Sequence, residues 1–248
     1  LLIHHLNCGI LHAPPNPQAA CHCLLIESDG RLALVDTGIG LLDVASPAAR
    51  IPQAAIDAAG FHFHERLTAV RQIERLGYHS ADVADIVLTH GDPDHAGGLA
   101  DFPAAKVHAS AEEIARIASG APRYSPSQFE HQPRWMAHGR SDERWFGLEA
   151  RPLSLSIGVE AMLIPLFGHT LGHCGVAIRD GNGWLLHVGD AYYLRAELST
   201  DDHPVSALAA MMADDDFQRR VSLHRLRDLA ESGQTNLAMV GYHDFGEF

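Results

Sequence analysis

Four short apolar runs in this chain each end in a histidine or an aspartate with a glycine close by, and that repeated ending constrains the fold more than any other feature. The runs are Val87-Leu88-Thr89-His90, Leu166-Phe167-Gly168-His169, Leu186-His187-Val188-Gly189-Asp190 and Val240-Gly241-Tyr242-His243. Short apolar runs bounded by turn residues read as buried strands. A sheet brings the ends of its strands to one edge, so these polar endings can meet there. Imidazoles and carboxylates together are a donor set that a divalent transition metal takes. Gly91, Gly168, Gly189 and Gly241 allow sharp turns or close backbone approach beside them.

The rest of the pattern is that of a layered α/β chain. Residues 20–37, ACHCLLIESDGRLALVDT, read as two strands about the turn Ser28-Asp29-Gly30. Residues 38–64 look irregular, with a short helix. Leu67, Val70, Ile73 and Leu76 recur at helical spacing and Gly77 closes that element. A strand over 85–89 delivers the cluster His90 to His95. A helix from about Ala96, a strand over 106–109 and a helix opening at Ser110 follow, and Ser110 with Glu113 has capping-box spacing. Further strands are expected at 159–165, 174–179, 184–188 and 236–240, with helices over 205–213 and 215–231. Strands in two batches, each followed by helices, imply a single layered domain over 1–248.

Residues 120–147 lack periodicity and are too long for a simple connection, so they are expected to form a lid insert. Phe129, Trp135, Trp145 and Phe146 would supply its apolar, substrate-binding walls. The same aromatics would equally serve a homodimer contact.

Charge and composition narrow the function. With 31 acidic residues against 18 lysines and arginines, the formal charge is −13. Such a surface repels phosphate backbones, so the expected partner is a small molecule and not a nucleic acid. No apolar run is long enough for a membrane span. LLIHHLNCGI has no basic flank and no long apolar stretch, so no signal peptide is expected. Four scattered cysteines make no disulfide framework, and a reducing, cytoplasmic setting follows. Cys21 and Cys23 read as two thiols on one strand face.

Taken in order, LALVDTG, THGDPDHAGG, FGHTLGH, HVGDAYY and GYHDF resemble the motifs of the metallo-β-lactamase superfamily of metallohydrolases over nearly the whole chain, in its lactonase and hydroxyacylglutathione-hydrolase-like branches. The resemblance implies a four-layer αββα sandwich with a dinuclear metal site at one edge of the sheets. One metal position would use His90, Asp92 and His169, the other Asp94, His95 and His243, with Asp190 bridging. Asp92 stands where the family motif H-x-H-x-D-H has its second histidine. The implied cofactors are two divalent transition metals, zinc foremost. The hard carboxylate of Asp92 would make iron or manganese better tolerated.

Asp36 and His173 are implied as residues that orient ligands. His187 reads as a strand histidine near the site, and His62 with His64 as an exposed loop pair. A lone histidine at a strand end is usually a satisfied polar residue; the ordered motifs make His90, His95, His169 and His243 exceptions.

The implied reaction is hydrolysis of a small ester, lactone or thioester by a metal-bridging hydroxide. Asp94 would carry a proton to the leaving group, and Tyr193 would assist at the carbonyl. HVGDAYY and the aromatic insert favour a lactone. Three alternatives stay open. They are hydrolysis of a small phosphoester or phosphotriester, mononuclear iron oxygenation of the persulfide dioxygenase type, and metal binding without turnover.

Overall fold

A computed structural model of the chain describes residues 1–14 and 18–248. The first sheet holds β1 (Leu2–Leu11), β2 (Ala19–Ser28), β3 (Arg31–Val35), β4 (Val83–Val87), β5 (Lys106–Ser110) and β6 (Arg134–His138), side by side in chain order. β1, β2 and β3 pair antiparallel, whereas β3 to β6 run parallel. A small hairpin, β7 (Arg144–Trp145) with β8 (Leu148–Glu149), leads to the second sheet. That sheet is built from β9 (Arg151–Ser154), β10 (Glu160–Pro165), β11 (Cys174–Asp180), β12 (Gly183–His187) and β13 (Leu237–Val240).

The eight α-helices are α1 (Leu41–Ala45), α2 (Pro47–Arg50), α3 (Gln53–Ala59), α4 (Ala69–Arg75), α5 (Pro93–Ala96), α6 (Ala111–Ala118), α7 (Val205–Met212) and α8 (Asp216–Glu231) among the described residues. Among the described residues, no helix is long and apolar enough to cross a membrane.

The layering follows from the two-residue period of the strands. Along β2, Leu24 and Ile26 face the second sheet, where they meet Leu163, Val176 and Ile178; Cys21, Cys23 and Leu25 face the opposite way, toward Val70 and Ile73 of α4. In the second sheet, Leu163 and Leu185 point inward, while Ile164 and Leu186 pack on Leu223 and Leu226 of α8. Both sheets are therefore buried on both faces, which is why their sequences read as continuous apolar runs. The result is the four-layer αββα sandwich.

Among the elements that depart from the sequence reading are the two edge strands of the first sheet. β1 has no clean apolar run, because His4, His5 and Asn7 interrupt it. Asn7 marks a shift in register against β2, and its carboxamide oxygen accepts the Gly9 and Cys21 amides there, at 3.3 and 3.2 Å. The segment expected to be an irregular lid, 120–147, contains β6, which pairs with β5 over five residues as the edge of the first sheet. As an edge strand it is only half buried, so it shows no apolar signal in the sequence.

Candidate metal centre

The loops that follow β3, β4, β10, β12 and β13 carry Asp36, His90 to His95, His169, Asp190 and His243, and they converge at one edge of the sandwich. Gly168 makes one of these turns possible: its φ is +129°, and a Cβ there would lie 1.9 Å from the Arg219 amide nitrogen of α8. Only glycine has that conformation and that clearance.

Among the described residues, three groups of side chains bring their ligand atoms within 4.8 Å of one another: His90 with Asp92 and His169, Asp94 with His95 and His243, and His90 with His95 and Asp190. Within the first, Asp92 Oδ2 lies 3.3 Å from His90 Nε2 and 3.1 Å from His169 Nε2. On the second side, His95 Nε2 lies 3.5 Å from Asp94 Oδ2, and His243 Nε2 lies 3.7 Å from it. Asp190 spans both, with Oδ1 at 3.2 Å from His95 Nε2 and Oδ2 at 3.3 Å from both His169 Nε2 and His243 Nε2. A tetrahedral ion with bonds of ~2.0–2.1 Å separates its ligand atoms by roughly 3.3 Å, so these spacings suit a divalent cation.

The donors are also aimed. His90 Nε2, His95 Nε2 and Asp190 Oδ1 are buried without a hydrogen-bond partner, a costly condition unless something else meets them. Three of the four histidines have the opposite ring nitrogen engaged. His95 Nδ1 donates to Asp36 Oδ2 at 2.8 Å, and His243 Nδ1 donates to the Ala20 carbonyl at 2.8 Å. Thr89 Oγ1 donates to Asp36 Oδ2, so it can accept from His90 Nδ1 at 3.1 Å. These contacts leave Nε2 as the free nitrogen in each ring, the arrangement expected of metal-ligating imidazoles. Asp36 itself has φ +55°, a strained backbone of the kind that collects at functional sites.

His173 does not join the cluster as a ligand. Its Nδ1 donates to the Leu166 carbonyl and its Nε2 accepts the Asp190 amide, both at 2.9 Å. Burial pushes His173 down to about 3, so it stays neutral and orients Asp190. His187 is likewise occupied, its Nε2 donating to the His22 carbonyl at 2.7 Å.

Burial opposes ionisation of Asp190, yet His243 and His95 hold its carboxyl well below the usual range. Asp94 is raised, by burial and by Asp190 beside it. Tyr193 is buried against the centre, with its ring 5.2 Å from that of His243 and 5.9 Å from that of His169. Burial, then Asp190, raises its phenol well above the ordinary value, so it keeps its proton and can offer the O–H as a hydrogen-bond donor.

The four aromatics expected to line a substrate wall are not brought together. Phe129 and Trp135 pack on each other, 6.0 Å apart, against the core under the first sheet. Trp145 and Phe146 belong to the core beneath α8, where Trp145 also meets Trp184. Their apolar faces are used in packing.

Three residues that sequence reasoning passed over are built into the centre. Tyr242 stacks on His95 at 3.7 Å and donates to the Asp94 carbonyl at 2.6 Å. Glu113 accepts the Gly91 amide, the Tyr124 hydroxyl and the Thr170 hydroxyl at 2.7, 2.8 and 2.6 Å, tying together the two loops that carry His90 and His169. Arg123 forks onto Asp92: Nε to Oδ1 and Nη2 to Oδ2 are both 2.6 Å. The unusual carboxylate at position 92 was the available signal, since a buried anion needs a cation.

A two-sheet sandwich with imidazoles and carboxylates at cation spacing along one edge is a metal-site α/β protein. The chain belongs to the metallo-beta-lactamase superfamily, whose profile matches residues 17–234. A probable metallo-hydrolase of Mycobacterium tuberculosis is 46% identical over 204 residues, covering 79% of this chain and 64% of that protein, and one of Mycobacterium bovis matches to the same extent. The chain thus spans under two thirds of the length of these relatives.

Among solved structures, an N-acyl homoserine lactone hydrolase with the product N-hexanoyl-L-homoserine bound at its catalytic metal centre superposes with a TM-score of 0.74. The identity is 18%, over 98% of this chain and 93% of that one. A probable metal-dependent hydrolase from Staphylococcus aureus gives 0.70 at 17% identity, covering 98% and 89%. At such identities the likeness speaks for the fold.

Proposed function

We propose that this protein is a metal-dependent hydrolase of a small ester, lactone or thioester, with a lactone preferred. The observation that carries the reading is the set of buried, unpartnered donor atoms (His90 Nε2, His95 Nε2 and Asp190 Oδ1) at cation spacing. The lactone preference draws on the solved relative with an acyl-homoserine product, and on Tyr193 at the same edge.

Asp94, His95, Asp190 and His243 would hold a divalent cation, zinc foremost, with iron or manganese also suited to a set containing carboxylates. A cation bound there supplies Lewis acidity, polarising a carbonyl oxygen and making a water acidic enough to attack near neutral pH. The expectation of a second cation, with a hydroxide bridging the pair, turns on the His90–Asp92–His169 side, where Arg123 already stands.

The chain's own residues do the rest. Asp94 takes the proton of the attacking water and returns it to the leaving oxygen. Tyr193, which cannot ionise in this setting, donates a hydrogen bond to the carbonyl oxygen as charge develops on it. Asp36 and His173 hold His95 and Asp190 in their orientations.

The test is to assay metal-loaded protein on an acyl-homoserine lactone, an aryl ester, a thioester and an aryl phosphodiester. Turnover of a carbonyl substrate, lost on chelation and restored by metal, is expected, and Tyr193→Phe should lower kcat by about 10²-fold. Turnover of the phosphoester alone would move the reading to phosphoester hydrolysis. Iron-dependent oxygen uptake without hydrolysis would move it to oxygenation.

A further inference from the structure

The Arg123 guanidinium is fixed on every side. Besides its fork onto Asp92, Nη2 lies 2.8 Å from His169 Nε2. Nη1 donates to the Met212 carbonyl at 2.7 Å and to Asp214 Oδ1 at 3.2 Å, and the Asp214 amide returns to the His169 carbonyl at 3.0 Å. The Arg123 and Asp92 side chains are 15% and 12% exposed. The next residue, Tyr124, is buried and anchored on Glu113. All three guanidinium nitrogens are therefore engaged in hydrogen bonds.

We propose that Arg123 is the resident cation of the first position, so that the loaded protein holds one tightly bound divalent ion, on the Asp94–His95–His243–Asp190 side. The inference rests on the metal-dependent reading above and specifies how many ions serve it.

Two independent features of His169 carry the proposal. A neutral imidazole has one ring lone pair, and at Nε2 that pair faces a guanidinium N–H at hydrogen-bond distance. It cannot serve Arg123 and a metal together. The opposite nitrogen, Nδ1, is buried without a partner. His90, His95 and His243 each have that nitrogen engaged, by Thr89, Asp36 and Ala20. His169 therefore lacks the outer hydrogen bond that metal-ligating histidines almost always make.

Charge argues the same way. Asp92 adds an anion where an imidazole would be neutral, and the bidentate fork is the strongest pairing a carboxylate makes with a side chain. A dication placed beside the paired guanidinium would meet repulsion that buried surroundings screen poorly.

The experiment is metal analysis of the full chain, purified without a chelating column and titrated with Zn2+ and with Mn2+. The wild type is expected to bind one equivalent, and bound Mn2+ should give the electron paramagnetic resonance spectrum of an isolated ion. Arg123→Met, which keeps the stem and removes the charge, is expected to bind a second equivalent at least tenfold more tightly than any second event in the wild type. Two equivalents of similar affinity in the wild type, or a spin-coupled Mn2+ pair, would overturn the proposal without touching the hydrolase reading. The wild-type measurements stand even where the variant fails to fold, and a folded variant that stays at one equivalent also overturns it. Binding of no metal at all would overturn both readings.

Discussion

Asp36 shows how much one residue does here. Its two oxygens accept from the Thr89 amide, the Thr89 hydroxyl and His95 Nδ1, each at 2.8 Å. Three donors on two oxygens hold the His95 ring, and through Thr89 the His90 ring as well. Asp36→Asn keeps the shape, and asparagine tolerates the left-handed backbone, so the variant tests chemistry rather than conformation. It puts an NH2 group where a donor already points. Metal affinity should fall 10–100-fold, measured by competition with a chromophoric chelator. Affinity equal to wild type would mean that Asp36 serves only the backbone.

At the scale of elements, α6 is the joint between the two loops that carry His90 and His169. Ser110 and Glu113 have the spacing of a capping box, and Ser110 Oγ does accept the Glu113 amide at 3.0 Å. The glutamate does not complete the box; its carboxylate leaves the helix for Gly91, Tyr124 and Thr170. Burial raises the Glu113 carboxyl and those three hydrogen bonds lower it in part. Glu113→Gln presents an NH2 group to at least one of three donors and leaves it unmatched. That should cost roughly 1–3 kcal/mol, read as a lower urea midpoint at unchanged slope. A midpoint shift under about 0.5 kcal/mol would show that the loops hold each other without Glu113.

At the scale of the molecule, the sandwich is closed near the site by buried histidines. His22 of β2 donates to the Gly241 carbonyl from Nδ1 at 3.1 Å, accepts from His5 at Nε2 at 2.7 Å, and stacks on Phe248 at 4.1 Å. Burial, then the charges of His187 and His5, pushes His22 down to about 3. An unfolded histidine titrates near ~6.5. As pH falls below that value the unfolded chain takes up a proton that the native one refuses, so stability is lost on acidification until about pH 3. The expected slope is roughly 1.4 kcal/mol per pH unit for this one group. His22→Gln removes it. Urea midpoints of the two proteins between pH 7 and 4 should therefore converge, or cross in favour of the variant, as pH falls. A constant gap would mean that His22 is protonated in the native state.

The ordered motifs made the superfamily, the layered fold and the cluster from His90 to His243 legible before any coordinates, because each motif is local. An apolar strand, a glycine and a ligand residue are consecutive in the chain, and continuous apolar runs reveal buried strands such as β2, β4 and β12. β1 and β6 were not legible, since edge strands are half exposed and carry no apolar run. The aromatics at 129–146 were visible as residues, but their environment was not. Packing, not composition, decides whether Trp145 faces a cleft or lies beneath α8. Arg123 lies 31 residues from Asp92 along the chain, in a segment without periodicity. The negative charge at position 92 called for a cation, and only the tertiary fold could choose which one, because pairing in a buried site depends on distance in space and the chain records distance only along its own length.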